Sequence, residues 1–214
     1  MQGVCYIIGA YHGEDAVILP SSADFVIAAD GGYEALAKLG IHANLVVGDF
    51  DSLGYVPAAE EIVQHPVRKD DTDTLLAIRL GLERGYRNFV ITGALGGRLD
   101  HTFANLQALH FLRDNGARCI LYGDGTLVTA VTDGSITIEG EGTLSVFTMD
   151  AKAEGVTLEN VSFPTDNVTL TNGFPIGVSN EFIGKPATVT VENGTLLVMW
   201  YAPKAELPKI VDMM

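Results

Sequence analysis

Patterns typical of buried strands and of helices alternate through the first 122 residues, and this alternation limits the fold more than any other feature. The strand patterns are short apolar runs, and they fall at Val4–Gly9, Phe25–Ala29, Leu45–Val47, Ile62–His65, Phe89–Thr92 and Cys119–Tyr122. The helical patterns between them fall at Tyr33–Leu39, Thr72–Arg84 and Leu99–Asn115. Such alternation predicts an α/β domain with a mostly parallel sheet. In the last helix we expect an inward-facing set of Phe103, Leu106, Leu109 and Leu112.

After Gly125 the pattern changes to short, β-branched runs without any helical period. These runs are Leu127–Val131, Ser135–Ile138, Leu144–Thr148, Val168–Leu170, Ala187–Glu192 and Thr195–Tyr201. The Asn193-Gly194 pair between the last two predicts a β-hairpin. The sequence therefore predicts an α/β domain over residues 1–126, followed by an all-β sandwich or jelly roll over residues 127–214.

Composition argues against two classes of binding partner. A formal net charge of −14 disfavours binding to duplex nucleic acid or to an anionic membrane, because phosphate contacts need Lys and Arg. Every arginine lies at or before Arg118, so phosphate chemistry is expected in the first half only. The chain shows no signal-peptide pattern and no apolar run of membrane-spanning length. We expect a cytoplasmic protein in which Cys5 and Cys119 are buried and do not form a disulfide.

Acidic residues follow the predicted strands. Asp49 and Asp51 come directly after Leu45-Val46-Val47-Gly48, and further carboxylates stand at Asp30, Asp70–Asp73 and Asp100. The loops after parallel strands meet at one edge of the sheet. Oxygen ligands at this density suit Mg²⁺. Taken alone, the Asp49/Asp51 pair fits a solvated acidic turn equally well.

A glycine-rich segment, Gly93 to Asp100, follows the predicted fifth strand. Its glycines allow the backbone to approach a phosphate closely, and Arg98 can bind two phosphate oxygens at once. It matches neither a P-loop nor a dinucleotide-binding fingerprint. Arg68 and Lys69 are further candidates for phosphate contact. The alternative for Arg98 is an ion pair with Asp100 that only holds the loop.

Five motifs together resemble the thiamine pyrophosphokinase family, in that family's order and over nearly the whole chain. They are Asp30-Gly31-Gly32, Gly48-Asp49-Phe50-Asp51-Ser52, Lys69-Asp70-x-Thr72-Asp73, Gly93-x-x-Gly96-Gly97-Arg98-x-Asp100-His101 and Ser179-Asn180-Glu181-Phe182. The resemblance implies a homodimer that transfers pyrophosphate from ATP to the hydroxyl of thiamine and releases AMP. It also implies Mg²⁺ as the cofactor.

The resemblance assigns roles by position. Asp49, Asp51 and Asp73 would hold Mg²⁺, with Asp51, Asp73 and Asp100 as the catalytic carboxylates. The nucleotide would meet Asp30, Gly31, Lys69, Thr72 and Arg98. Thiamine would meet Asp100, Asn105, Phe163, Ser179 and Asn180, with Phe163 where the family often has Trp or Tyr. Two other functions remain open: a Mg²⁺-dependent phosphotransferase with another acceptor alcohol, and a nucleotide sensor without catalysis.

Overall fold

The computed structural model describes residues 3–11, 20–50, 54–55, 57, 59–64 and 71–202. Within the first half all three predicted helices and all six predicted strands are present, so the alternating pattern is confirmed. The elements are β1 (Cys5–Ile8), β2 (Phe25–Ala29), α1 (Gly32–Leu39), β3 (Leu45–Gly48), β4 (Glu61–Gln64), α2 (Asp73–Glu83), β5 (Asn88–Thr92), α3 (Leu99–Asp114) and β6 (Arg118–Gly123). No helix in the described part of the chain is long and apolar enough to cross a membrane.

The six strands form a parallel sheet in the order β6-β5-β1-β2-β3-β4. The chain builds outward from β1 to β4 and then returns to place β5 on the other side of β1. This reversal of direction leaves a crevice at the carboxyl ends of β1 and β5, the usual position of a ligand in such sheets. One face of the sheet packs against α2 and α3, and the other packs against α1.

Both cysteines lie inside this sheet. Cys5 on β1 and Cys119 on β6 are each in register with Phe89 of the intervening strand β5. They are buried and free, as the sequence predicted. Burial raises the pKa of the Cys5 thiol to about 12, so this sulfur is an inert core atom rather than a nucleophile.

The inward-facing set predicted for α3 is partly wrong. Leu109 and Leu112 are buried, but Phe103 is 59% exposed. The buried positions of this helix are Asn105, Ala108, Leu109 and Leu112, which follow the three- and four-residue spacing of one helical face. Phe103 lies two residues before the first of them, and therefore about 160–200° around the helix from this stripe.

The second half consists of β7 (Thr126–Ile138), β8 (Thr143–Thr148), β9 (Lys152–Glu159), β10 (Thr165–Thr171), β11 (Asn180–Glu181) and β12 (Ala187–Tyr201). The predicted hairpin at Asn193-Gly194 is wrong, because this pair lies inside β12 as a register irregularity opposite β7. The two runs on either side of Asp133 likewise form the single strand β7. Asp133 Oδ1 accepts a hydrogen bond from Gly194 N at 2.9 Å. The two turn-like sites therefore face each other as one bulge.

Hydrogen bonding continues from one half of the chain to the other. β7 pairs antiparallel with β6, and β12 pairs with β7 along almost its whole length. The first part of β12 also pairs with β9 and its last part with β8. The result is one mixed sheet of twelve strands. The division predicted at residue 126 falls at the start of β7 and stays a prediction.

Candidate active site

The loops after β2 and β3 lie side by side at the carboxyl edge of the sheet. Asp30 N donates to Val47 O at 2.8 Å, and a side chain at Gly48 would lie 3.1 Å from the Asp30 Cα. Asp30 and Phe50 both adopt positive φ angles, 47° and 62°, which are uncommon outside glycine. Such backbone positions concentrate at functional sites. The structure thus brings Asp30 next to the segment that leads into Asp49.

The predicted metal ligands are only partly described. Asp49 is half-buried directly after β3, and Asp73 is half-buried in the first turn of α2. Asp51 and Lys69 lie outside the described residues. Among the residues that the structure describes, no three His, Cys, Asp or Glu side chains are grouped closely enough to hold a metal ion. The set of Asp49, Asp51 and Asp73 therefore stays a prediction, and its all-carboxylate chemistry fits a hard cation.

Thr72 begins α2 as its N-cap residue. Its Oγ1 accepts a hydrogen bond from Leu75 N at 3.2 Å, as expected for a threonine before a helix. The neighbouring Asp71 forms an ion pair with Arg79, in which Asp71 Oδ2 accepts a hydrogen bond from Arg79 Nη1 at 3.0 Å. Asp73 follows inside the first turn, where the helix dipole favours a negative charge. The N-cap at Thr72 therefore places Asp73 at the first position of α2.

Side chains of α3 hold the glycine-rich loop after β5 by hydrogen bonds to its backbone. Thr102 Oγ1 accepts from Gly96 N at 3.0 Å and lies 3.2 Å from Gly96 O. The buried Asn105 amide donates to Ala94 O at 2.8 Å. The sequence analysis did not single out Thr102. A hydroxyl near the start of a helix that follows a glycine-rich loop can nevertheless indicate a hydrogen bond to that loop. In this structure Asn105 supports the loop, and its predicted contact with thiamine stays a prediction.

The ring of Tyr11 lies over the two glycines of this loop. A side chain at Gly96 would come within 2.4 Å of the Tyr11 ring, and one at Gly97 within 2.8 Å. Tyr11 N also donates to Gly93 O at 2.9 Å. Nothing in the sequence marks Tyr11 as a neighbour of residues more than eighty positions away. Only glycines at these two positions leave space for the ring.

Arg98 and Asp100 form a two-point ion pair at the start of α3. The Nε–Oδ1 distance is 3.2 Å and the Nη2–Oδ2 distance is 2.6 Å. The hydrogen bond from Arg98 holds the pKa of the Asp100 carboxyl below its ordinary value. Both side chains are largely exposed, 72% and 65%, so the pair is worth little and a phosphate can displace Asp100 from Arg98. The pairing alternative is thus present in the structure without excluding phosphate binding.

A second cluster lies in the β half. Asn180 is buried; its Oδ1 accepts from Phe163 N at 2.9 Å, and its Nδ2 donates to Phe163 O at 2.7 Å. The Phe163 ring itself is 68% exposed. Ser179 has a φ of 60° and donates its N–H to Ser145 Oγ at 3.0 Å. The structure therefore brings together three residues that the sequence places up to 17 positions apart, and it holds an aromatic ring out into solvent.

Comparison with known proteins now gives the family. Residues 18–121 match the sequence model of the thiamin pyrophosphokinase catalytic domain, and residues 135–196 match that of the thiamin pyrophosphokinase vitamin B1 binding domain. The chain belongs to the thiamin pyrophosphokinase family. The resemblance read from the five motifs is thereby confirmed.

Individual relatives agree with the family assignment. The chain is 27% identical to the thiamine pyrophosphokinase of Bacillus subtilis over 182 residues, which cover 81% of this chain and 85% of the relative. The crystal structure of the thiamine pyrophosphokinase from Bacillus subtilis superposes with a TM-score of 0.82, at 24% identity, over 93% of this chain and 99% of that one. A thiamin pyrophosphokinase family protein from Enterococcus faecalis gives a TM-score of 0.81 at 27% identity, over 94% and 99%.

The two thiamin pyrophosphokinase domains separate the two clusters. Asp30, Asp49, Asp73, Arg98 and Asp100 lie within the range matched by the catalytic domain. The Asn180 cluster lies within the range matched by the vitamin B1 binding domain. Each half of the chain therefore carries its own group of candidate residues.

His110 joins the two halves of the molecule. Its Nε2 lies 3.1 Å from Asp150 Oδ1 in the turn between β8 and β9, and its Nδ1 lies 3.4 Å from Asp114 on α3. Partial burial lowers the pKa of the imidazole, but the hydrogen bond to Asp150 and the charges of both carboxylates outweigh this effect and raise that pKa above its ordinary value. The protonated form therefore stabilises the contact between α3 and the β half.

We expect His110→Gln to destabilise the protein more at pH 6 than at pH 8. Because the folded-state pKa is raised, the contribution is complete below the unfolded-state pKa of about 6.5 and is lost as the pH rises through the folded-state pKa. Urea unfolding of both proteins at the two pH values measures this difference. His42→Gln, which removes an exposed histidine paired with Glu60, is the control. An equal loss of stability at pH 6 and pH 8 would contradict the assigned charge.

Proposed function

We propose that this protein transfers the pyrophosphate group of ATP to the hydroxyl of thiamine, giving thiamine diphosphate and AMP. The observation that carries the proposal is the presence of both family domains in one chain, each with its own cluster of candidate residues. We assign nucleotide binding and catalysis to an α/β domain over residues 1–126. We assign thiamine binding and dimerisation to a β-sandwich domain over residues 127–214. The buried cysteines, which form no disulfide, fit a reducing cytoplasmic setting.

Mg²⁺ and the polyphosphate are assigned to the carboxyl edge of the parallel sheet. Asp49, Asp51 and Asp73 would hold the cation through carboxylate oxygens. A bound Mg²⁺ would supply neutralisation of phosphate charge and alignment of the transferred group. Asp30, Gly31, Lys69, Thr72 and Arg98 would surround the nucleotide. The close packing of the loop after β2 on Gly48 supports this grouping, because it places Asp30 beside the Asp49 segment.

Asp100 is assigned to the acceptor. An aspartate carboxyl is ionised at neutral pH, and the hydrogen bond from Arg98 lowers the pKa of Asp100 further, so Asp100 can accept a hydrogen bond from an alcohol and attract the thiamine cation. It is a weak proton acceptor for the same reason. Orientation of the hydroxyl toward the β-phosphorus is therefore the role that its charge supports best. Transfer of this kind depends on positioning and charge neutralisation more than on covalent help.

The Asn180 cluster is assigned to the thiamine ring system. Asn180 holds the backbone of Phe163 by hydrogen bonds on both its N–H and its C=O. The Phe163 ring is therefore exposed to solvent while its backbone is held in place. A ring that stacks on an aromatic cation needs such an accessible face. Ser179 and the buried Asn105 complete the set that we assign to thiamine.

A homodimer explains the exposed apolar side chains. Leu99 and Phe103 are 82% and 59% exposed on either side of Asp100. Among the described residues of the β half, six more large apolar or aromatic side chains are at least half exposed, namely Phe163, Phe174, Ile176, Val178, Ile183 and Tyr201. Exposed apolar groups on this scale mark an interaction surface. We propose that the β half of one subunit covers the Asp100 region of its partner.

Arg98→Lys should weaken binding of Mg-ATP by roughly 1–3 kcal/mol, the value of a charged hydrogen bond, and leave AMP binding nearly unchanged. A guanidinium binds two phosphate oxygens at once, whereas an ammonium is a point charge. Calorimetric titration with ATP, ADP and AMP measures the effect against phosphate-chain length. Arg79→Lys is the control, because Arg79 lies on α2 and pairs with Asp71. Equal weakening of ATP and AMP binding would place Arg98 away from the transferred phosphates.

The products of the reaction test the function. The protein is incubated with ATP, Mg²⁺ and thiamine, and the nucleotides are separated by chromatography. AMP and thiamine diphosphate in equal amounts are expected. ADP with a phosphorylated acceptor would indicate an ordinary phosphotransferase instead, and ATP binding without any turnover would indicate a nucleotide sensor.

A further inference from the structure

The Tyr11 side chain lies against the glycine-rich loop, although the two segments are far apart in the chain. Tyr11 follows β1, and the loop follows β5, the strand that pairs with β1. Two backbone hydrogen bonds join these segments: Tyr11 N donates to Gly93 O at 2.9 Å, and Gly9 N donates to Thr92 O at 2.7 Å. The contact therefore lies at the crevice where such sheets bind their ligands. The proposed function assigns Tyr11 no role.

The Tyr11 ring occupies the space in which side chains at Gly96 and Gly97 would lie. A methyl group at Gly96 would be 2.7 Å from Tyr11 Cζ, and one at Gly97 would be 2.8 Å from Tyr11 Cδ2. Carbon atoms in contact are normally about 3.5–4.0 Å apart, so neither position accepts a side chain while the ring is there. The sequence analysis assigned this open backbone to a phosphate, and the structure places an aromatic ring on this side of it instead.

The ring compensates for the conformational freedom of two consecutive glycines. Gly96 and Gly97 have φ angles of 93° and 64°, which glycine adopts readily but at a large cost in backbone entropy. Neither residue has a side chain with which to pack. Thr102 Oγ1 accepts a hydrogen bond from Gly96 N at 3.0 Å, which holds one glycine from α3, and Tyr11 packs against both glycines from the loop after β1. The two contacts together hold the loop in one conformation.

The segment that Tyr11 holds leads directly into Arg98, the N-cap residue of α3, whose side chain makes no capping hydrogen bond. The N–H groups in the first turn of a helix and a guanidinium both suit a phosphate group. We propose that Tyr11 is a positioning residue for the nucleotide, because its ring fixes the two glycines from which the chain enters Arg98 and α3. This inference rests on the proposed function, which assigns Arg98 to the phosphates of ATP.

Nucleotide binding without turnover tests the role of Tyr11. The full-length protein is titrated calorimetrically, in the presence of Mg²⁺, with AMP and with α,β-methylene-ATP, an analogue whose α–β bridge resists the cleavage that pyrophosphate transfer requires. Tyr11→Ala should weaken binding of the analogue at least tenfold, a loss of about 1.4 kcal/mol, and leave AMP binding nearly unchanged. Tyr11→Phe should bind both nucleotides as the wild type does, because the contacts with Gly97 are made by ring carbons.

A second tyrosine separates this role from packing alone. Tyr86 precedes β5 at the other end of that strand, and its ring stacks on Phe25 with the ring centroids 5.6 Å apart. Tyr86→Ala should lower the midpoint of thermal unfolding and leave both nucleotide affinities unchanged. Tyr11 is 37% exposed and lies outside the hydrophobic cores on both faces of the sheet, so Tyr11→Ala should unfold close to the wild-type temperature.

If Tyr11→Ala fails to fold, Gly97→Ala takes its place, because the added methyl group displaces the ring and should weaken binding of the analogue in the same selective way. The inference is overturned if Tyr11→Ala binds the analogue as tightly as the wild type does, if AMP binding weakens equally, or if Tyr11→Phe is as weak as Tyr11→Ala. It is also overturned if the wild type does not bind the analogue. The proposed transfer reaction fails on a different observation, the absence of AMP and thiamine diphosphate among the products, so the two failures are distinct.

Discussion

Asp73→Asn should lower turnover at least ~10²-fold, the scale of losing one electrostatic group of a catalytic site, while the protein remains folded. Asp73 is half-buried in the first turn of α2 at the carboxyl edge of the sheet. Asparagine keeps the shape of the side chain and removes the charge that a hard cation needs. Asp51→Asn should behave in the same way.

The measurement is the rate of thiamine diphosphate formation over a range of Mg²⁺ concentrations, with circular dichroism to check the fold. Asp71→Asn is the matched control, because Asp71 lies two residues away and pairs with Arg79 instead. It should lose much less activity than Asp73→Asn. Near-normal turnover of Asp73→Asn at ordinary Mg²⁺ concentration would remove this residue from the metal set.

Mixing two inactive variants should restore activity if the sites lie between subunits. One partner carries Asp73→Asn and the other carries Ser179→Ala with Asn180→Ala, which releases the backbone of Phe163. In a hybrid dimer both changes fall in one site and the other site is intact. Random exchange at equal concentrations then gives roughly a quarter of the wild-type activity. The measurement is turnover after subunit exchange has been demonstrated with two tags.

The control mixture combines Asp73→Asn with Asp49→Asn. Both changes lie in the α/β half, so every site of the hybrid is damaged and no recovery is expected. Recovery in the first mixture alone supports shared sites. No recovery in either mixture, despite exchange, would mean that each site is built within one chain.

Local pattern predicts the α/β half well, because every strand there except β4 is largely buried on both faces, and a glycine follows each helix within two residues. Gly40 adopts a φ of 66° at the end of α1, and Thr72 begins α2, as expected from their types. The β half is different. Asn193-Gly194 has the local signal of a hairpin, but β7 and β9 pair with the chain around it and turn it into a bulge. Long-range pairing decided between these outcomes, and a local motif contains no information about it.

The same limit applies to the candidate site. Sequence position correctly placed Asp30 and Asp49 after parallel strands. It left open whether Arg98 pairs with Asp100, and it gave no sign that Tyr11 covers Gly96 and Gly97. The Tyr11 contact depends on loops that meet across the crevice between β1 and β5, whereas the Arg98–Asp100 pair depends on the orientation of two side chains at the start of α3. The family assignment names the kind of site, and the structure adds how Asn180 and Thr102 hold its parts.

The most direct test of the account follows one labelled atom. ATP carrying ³²P in the β position is incubated with the protein, Mg²⁺ and thiamine, and the products are separated. Transfer of the whole pyrophosphate group places the label in thiamine diphosphate and leaves AMP unlabelled, as the account predicts. Label that remains in ADP, with thiamine unlabelled, would contradict it.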